Sequence, residues 1–159
     1  MNNPNPAAPA QPQAQLAIQK IYLKDASFET PAGIKAFQQA WSPKLNQQLQ
    51  TRVNKVDNQH AEVVLVLTLS ATMGEGEKAE TAFIIEVQQA GLFQVIAPDA
   101  ALERHIMNTT CPAILLPYAR EAVDNLVVKG GFPPISVPPI NFDALYQQAL
   151  AQQQNKPAH

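Results

Sequence analysis

The stretch Ala61–Ile96 constrains this chain more than any other. It reads AEVVLVLTLSAT, then MGEGEKAE, then TAFIIEVQQAGLFQVI, which is a long β-hairpin joined by a charged, glycine-bearing loop. Val63, Leu65, Leu67 and Leu69 share one face of its first strand, and Val64, Val66, Thr68 and Ser70 share the other. A strand apolar on both faces is not bathed in water on either, so the sheet is expected to be covered twice and the protein to be oligomeric. In the second strand Phe83, Ile85 and Val87 share a face, while Ile84, Glu86 and Gln88 take the other. Glu86, in an otherwise apolar run, is the residue that plain scaffolding accounts for least.

The segments around the hairpin supply further strands and a helical cover. Leu16–Glu29 predicts a first strand, ended by Pro31. Its alternation is irregular, because Ile21 and Leu23 share a parity with Asp25, Ser27 and Glu29, while Ala26 and Phe28 take the other. Either a bulge shifts the phase or both faces are partly covered. If the strand is regular, Asp25 and Glu29 point the same way about 13 Å apart. Residues 30–43 form a connector with Phe37 and Trp41 at i,i+4, and Lys44–Val56 is a polar strand suited to an edge. Asp99 predicts the cap of a short helix to about Met107, Pro112 the opening of a second helix, and Lys129–Gly130 its stop. Phe132–Ile140 holds four prolines and must be extended. Asn141 caps a last helix carrying Phe142, Leu145, Tyr146, Ala149 and Leu150. Strands followed by helices define an α+β class, a four-stranded antiparallel sheet with C-terminal helices on one face. The domain spans 16–150, between tails at 1–15 and 151–159 whose composition predicts disorder.

Composition removes several function classes. A net charge of −2 gives no electrostatic basis for binding nucleic acid or an anionic membrane. No apolar run approaches the roughly 20 residues of a membrane span. The first residues lack the features of a signal peptide, and Cys111, the single cysteine, forms no internal disulfide, so the cytoplasm is the expected compartment. Cys111 precedes Pro112 at a helix start but has no His–Asp pattern beside it. His60, His105 and His159 have no metal-ligand spacing, Lys129-Gly130-Gly131 is no phosphate loop, and GEGE is no calcium loop. No catalytic residue, metal or cofactor is expected.

Four blocks together carry a specific likeness. They are Ile21-Tyr22-Leu23-Lys24-Asp25-Ala26-Ser27-Phe28-Glu29, Thr81 through Phe93, Cys111 through Glu121, and Phe132-Pro133-Pro134 continuing to Pro139-Ile140-Asn141-Phe142-Asp143-Ala144-Leu145. In this order the chain resembles the bacterial protein-export chaperone family SecB over roughly residues 16–150. The resemblance implies a non-enzymatic, nucleotide-independent holdase that assembles as a homotetramer, a dimer of dimers. Such a protein binds unfolded preproteins in the cytoplasm, keeps them translocation-competent and delivers them to the export motor SecA. It also implies that Asp25, Glu29, Ile84 and Glu86 meet SecA, and that Phe28, Trp41 and Phe142 line the client groove. Ile85, Val87 and Gln89 fall, on the same likeness, to oligomer packing. The loop 74–80 is longer than the family pattern and the N-terminal tail richer in proline, both outside the matched blocks.

Read without the likeness, Glu86, Asp25 and Glu29 are solvated surface charges, and Trp41 and Phe142 are core. Two other functions compete: a specialised SecB-like chaperone serving a toxin–antitoxin pair, and a small-ligand-binding oligomer. The second needs polar groups converging on a pocket, whereas the Asp, Glu, His and Lys residues here are scattered along the chain.

Overall fold

The computed structural model describes residue 10 and residues 13–155. Four strands, β1 (Gln15–Glu29), β2 (Lys44–Lys55), β3 (His60–Met73) and β4 (Glu80–Ile96), form one antiparallel sheet in the order β1-β4-β3-β2. The hairpin β3–β4 is therefore the centre of the sheet, and the polar strand β2 is an edge. Helices α1 (Ala100–Asn108), α2 (Thr110–Lys129) and α3 (Phe142–Gln154) follow. A single 3₁₀ turn, Gly33–Phe37, interrupts the β1–β2 connector. Asp57 closes the β2–β3 turn, its carboxylate accepting from the backbone N–H of Gln59 and His60 at 2.8 Å each.

Helix boundaries follow their capping chemistry. The Asp99 carboxylate accepts from Leu102 N at 2.8 Å, and the Asn141 side-chain oxygen accepts from Ala144 N at 3.0 Å. At the end of α2, Gly130 N, Gly131 N and Phe132 N donate to the carbonyls of Leu126, Val128 and Val127. The left-handed residue of that turn is Gly131, at φ 85°. Tails were expected at 1–15 and 151–159. Most of the first lies outside the described residues, but β1 begins at Gln15, and α3 continues to Gln154 because Ala and Gln sustain a helix beyond its last apolar contact.

The core lies between the sheet and the helices. Val63, Leu65, Leu67, Phe83, Ile85, Val87 and Phe93 are fully buried there against Leu115, Ala119, Val123 and Val127 of α2. Each such aliphatic or aromatic side chain contributes about 1.5–3 kcal/mol by burial. Ile85, Val87 and Gln89, expected to serve oligomer packing, lie on the helix-covered face of β4. Ile85 and Val87 are 0 % exposed within one chain, and Gln89 is buried with its amide donating to Tyr22 O at 3.0 Å.

One part of the second face of the hairpin is also covered from within. Val64, Val66 and Ala90 form a small buried cluster under the ring of Tyr22. The apolar character of both faces of β3 thus needs no second subunit to explain it, because an aromatic residue of the edge strand lies over the outer one.

Candidate functional site

Two surfaces emerge on opposite sides of the sheet. The outer one depends on the phase of β1, which contains irregularities between Ile18 and Lys20 and between Leu23 and Asp25. Between the two irregularities the odd residues pair with core-facing positions of β4, Ile21 with Gly91 and Leu23 with Gln89. Beyond the extra residue, Lys24, the phase is reversed: Asp25, Ser27 and Glu29 pair with Gln88, Glu86 and Ile84. Ala26 and Phe28 consequently face the core opposite Val87 and Ile85. Of the two readings the irregular alternation allowed, the bulge is correct.

This register gathers four of the residues expected at a partner surface. Asp25, Glu29 and Ile84 are exposed and Glu86 is half-buried, all on the uncovered face. Glu86 stands opposite Ser27, diagonal to both Asp25 and Glu29, positions about 7–8 Å apart along the backbone of a sheet. Among the described residues none of the three acids is in an ion pair. Gln88 donates to Glu86 at 3.2 Å, and Arg52 donates to Gln88 at 2.9 Å. Beside them lies an open concavity of about 690 Å³, lined by Gln48, Gln50, Arg52, Val66, Thr68, Glu86 and Gln88 among others. Like charges fixed on a rigid sheet without partners attract a basic segment, with an affinity that falls as salt rises.

The second surface is an aromatic cluster on the helical side. Phe132, just after α2, is at its centre, 4.8 Å from Phe37, 5.1 Å from Trp41 and 5.1 Å from Phe83 between ring centroids. Phe28 stacks on Phe83 at 5.9 Å. Phe83 and Phe132 are buried, Phe28 and Trp41 are half-buried, and Phe37 is 53 % exposed. The cluster thus grades from core to open surface. The Gly130–Gly131 pair makes the approach possible: a Cβ on Gly130 would lie 2.1 Å from the Phe28 ring, and one on Gly131 3.3 Å from that of Phe37.

Phe28 and Trp41 are therefore brought together as expected for a groove lining, and Phe142 is not. Phe142 is buried at the start of α3 and makes none of the aromatic contacts of the cluster. Its ring serves to seat α3. Phe37 and Phe132 complete the cluster. The i,i+4 spacing of Phe37 and Trp41 was a signal for the first, and the Gly-Gly step before Phe132 for the second.

A third feature is an apolar groove of about 420 Å³ between the free edge of β1 and α2, with Ile21, Leu23, Ala26, Tyr118, Ala122 and Leu126 among its walls. The chemistry of catalysis is poorly served by comparison. Burial pushes the Cys111 thiol up to about 12, which keeps it protonated. Among the described residues no three His, Cys, Asp or Glu side chains are placed to share a metal ion.

A four-stranded antiparallel sheet with one face covered by helices, one acidic face left open and a graded aromatic cluster defines a protein-binding module. The family model described as "Preprotein translocase subunit SecB" matches residues 9–153. The protein-export protein SecB of Saccharophagus degradans is 46 % identical over 151 residues, covering 95 % of this chain and 88 % of that protein. SecB of Pseudomonas paraeruginosa is 49 % identical over 142 residues, covering 89 % and 85 %. A Mycobacterium tuberculosis SecB-like chaperone, solved in complex with a peptide from an antitoxin, shares the fold with a TM-score of 0.62 at 18 % identity, covering 79 % of this chain and 91 % of that one. The chain belongs to the SecB family of protein-export chaperones.

Proposed function

We propose that this protein is an ATP-independent holdase that binds unfolded preproteins in the cytoplasm and delivers them to SecA. The observation that carries this reading is the separation of two protein-binding surfaces by the thickness of one sheet. The aromatic cluster of Phe28, Phe37, Trp41 and Phe132 offers adaptable apolar area without side-chain-specific hydrogen bonds, as a binder of many unrelated chains requires. Holding the unfolded state opposes folding by mass action and needs no nucleotide. Asp25, Glu29 and Glu86, with Ile84 beside them, form the docking patch for SecA on the other face. Among the described residues no helix is long and apolar enough to cross a membrane.

The working form in this proposal is a homotetramer, a dimer of dimers. The groove between β1 and α2 supports it, with Leu23 and Tyr118 in its walls at 52 % and 46 % exposure. Ile85 and Val87 then act on assembly indirectly, by seating α2 from below.

Glu86→Lys tests the division between faces. It is expected to weaken SecA binding several-fold in a titration while leaving the delay of client refolding unchanged. Loss of client holding together with SecA binding would mean that the two faces are not separate.

A further inference from the structure

The docking face owes its arrangement to where β1 carries its extra residue, and a polar clamp sits at that point. On β3, Glu62 faces outward and receives three donors. The Tyr22 hydroxyl and the Lys24 ammonium reach it from β1, the latter at 2.7 Å, and the Asn54 amide reaches it from β2 at 3.0 Å. Glu62 pairs with Leu92 of β4, whereas Tyr22 pairs with Ala90 and Asp25 with Gln88. The clamp therefore draws Lys24 along the strand away from the Gln88 row. The small Ala90 side chain lets Tyr22 cross β4 to reach β3.

The alternative register is a short step away. Phe28 is held against Gly130 and Phe83, which fixes the far end of β1, but this anchor does not determine which residue is extra. If the bulge moved on by one residue, Lys24 would pair with Gln88, and Asp25 would become the bulged residue, with Ala26 and Phe28 unmoved. A cation would then replace a carboxylate in the acidic patch. A one-residue slip is the ordinary failure of a strand whose register is weakly specified.

We propose that Glu62 is a positioning residue of the docking face: by holding Lys24 and Tyr22 it keeps the bulge at Lys24 and so presents Asp25, rather than Lys24, opposite Gln88. The functional half of this proposal rests on the docking reading above, and the structural half does not. The chemistry of the clamp is consistent with it. The Lys24 and Tyr22 hydrogen bonds, in that order, hold the Glu62 carboxyl down to about 2, and the bond to Glu62 pushes the Tyr22 hydroxyl up to about 12.

A cross-link reads the register without SecA. In the Asp25→Cys/Gln88→Cys chain the two thiols are direct cross-strand neighbours within disulfide reach, while Cys111 is buried. Mild oxidation is expected to join them readily, and several-fold less when Glu62→Gln is added. Lys24→Met, a change at a 41 % exposed side chain, should act in the same direction if Glu62→Gln folds poorly. Equal cross-linking in all backgrounds overturns the proposal. A titration with purified SecA then reads the functional half. Glu62→Gln should cost less once Asp25→Asn is present, because only the introduced Lys24 charge then remains to act, yet should multiply in full the loss from Glu29→Gln. An undiminished loss in the Asp25→Asn background would overturn the action through Asp25. If Asp25→Asn, Glu29→Gln and Glu86→Gln all leave SecA binding unchanged, the docking reading fails, and the cross-link still decides the register.

Discussion

Gly130 shows how a single side chain, or its absence, sets the shape of the aromatic cluster. Its backbone is ordinary helix at φ −73°, so glycine is not needed there for conformation. It is needed for space, because three atoms of the Phe28 ring lie 2.1 to 3.0 Å from where a Cβ would stand. Gly130→Ala must displace a ring packed between two others, an overpacking cost of about 1–3 kcal/mol. Urea unfolding should report that loss as a lower midpoint with an unchanged slope, and an unchanged midpoint would mean that Phe28 moves aside freely. The sequence read Lys129–Gly130 as a helix stop, which is right, but no periodicity could tell that a ring from a strand about a hundred residues earlier would settle on it. Phe142 poses a related problem: its position at the opening of a helix fits groove and core equally well in sequence, and the fold buries it at the start of α3.

At the scale of an element, β1 is the strand whose pattern was ambiguous and whose register matters most. Long regular elements with clear chemistry were legible: the hairpin from its alternation, β2 as an edge from its Gln and Asn, and the helix starts from Asp99 and Asn141. The bulge at Lys24 was legible only as an alternative, since it depends on Glu62, 38 residues away in sequence. The same distance hid the cover over Val64 and Val66, which comes from Tyr22. Because folding depresses the Glu62 carboxyl from 4.5 to about 2, its contribution to stability is fully present above about pH 4.5 and is lost as pH falls toward 2. Stability followed by urea unfolding across that window should fall less steeply for Glu62→Gln than for the unaltered chain. Parallel profiles would show that the clamp does not stabilise the fold.

For the whole molecule, the sheet is a partition. Its central hairpin contributes Phe83, Ile85 and Val87 to the core and Ile84 and Glu86 to the open face, so one strand serves both surfaces. In the proposed tetramer, assembly uses neither surface but the groove between the edge of β1 and α2. Light scattering at micromolar concentration should give a mass near four times 17.3 kDa, and a monomer would contradict the proposed tetramer. Side-chain parity could state that the hairpin has two faces, but which one the helices cover followed only from the fold. The central claim is that the protein holds unfolded chains and passes them on. Its most direct test is the refolding of a denatured precursor in the presence of this protein, with and without purified SecA. The account predicts delayed refolding of the denatured precursor, no binding of the folded form, and transfer of the held chain when SecA is added. Equal binding of folded and unfolded precursor, or binding of neither, would contradict it.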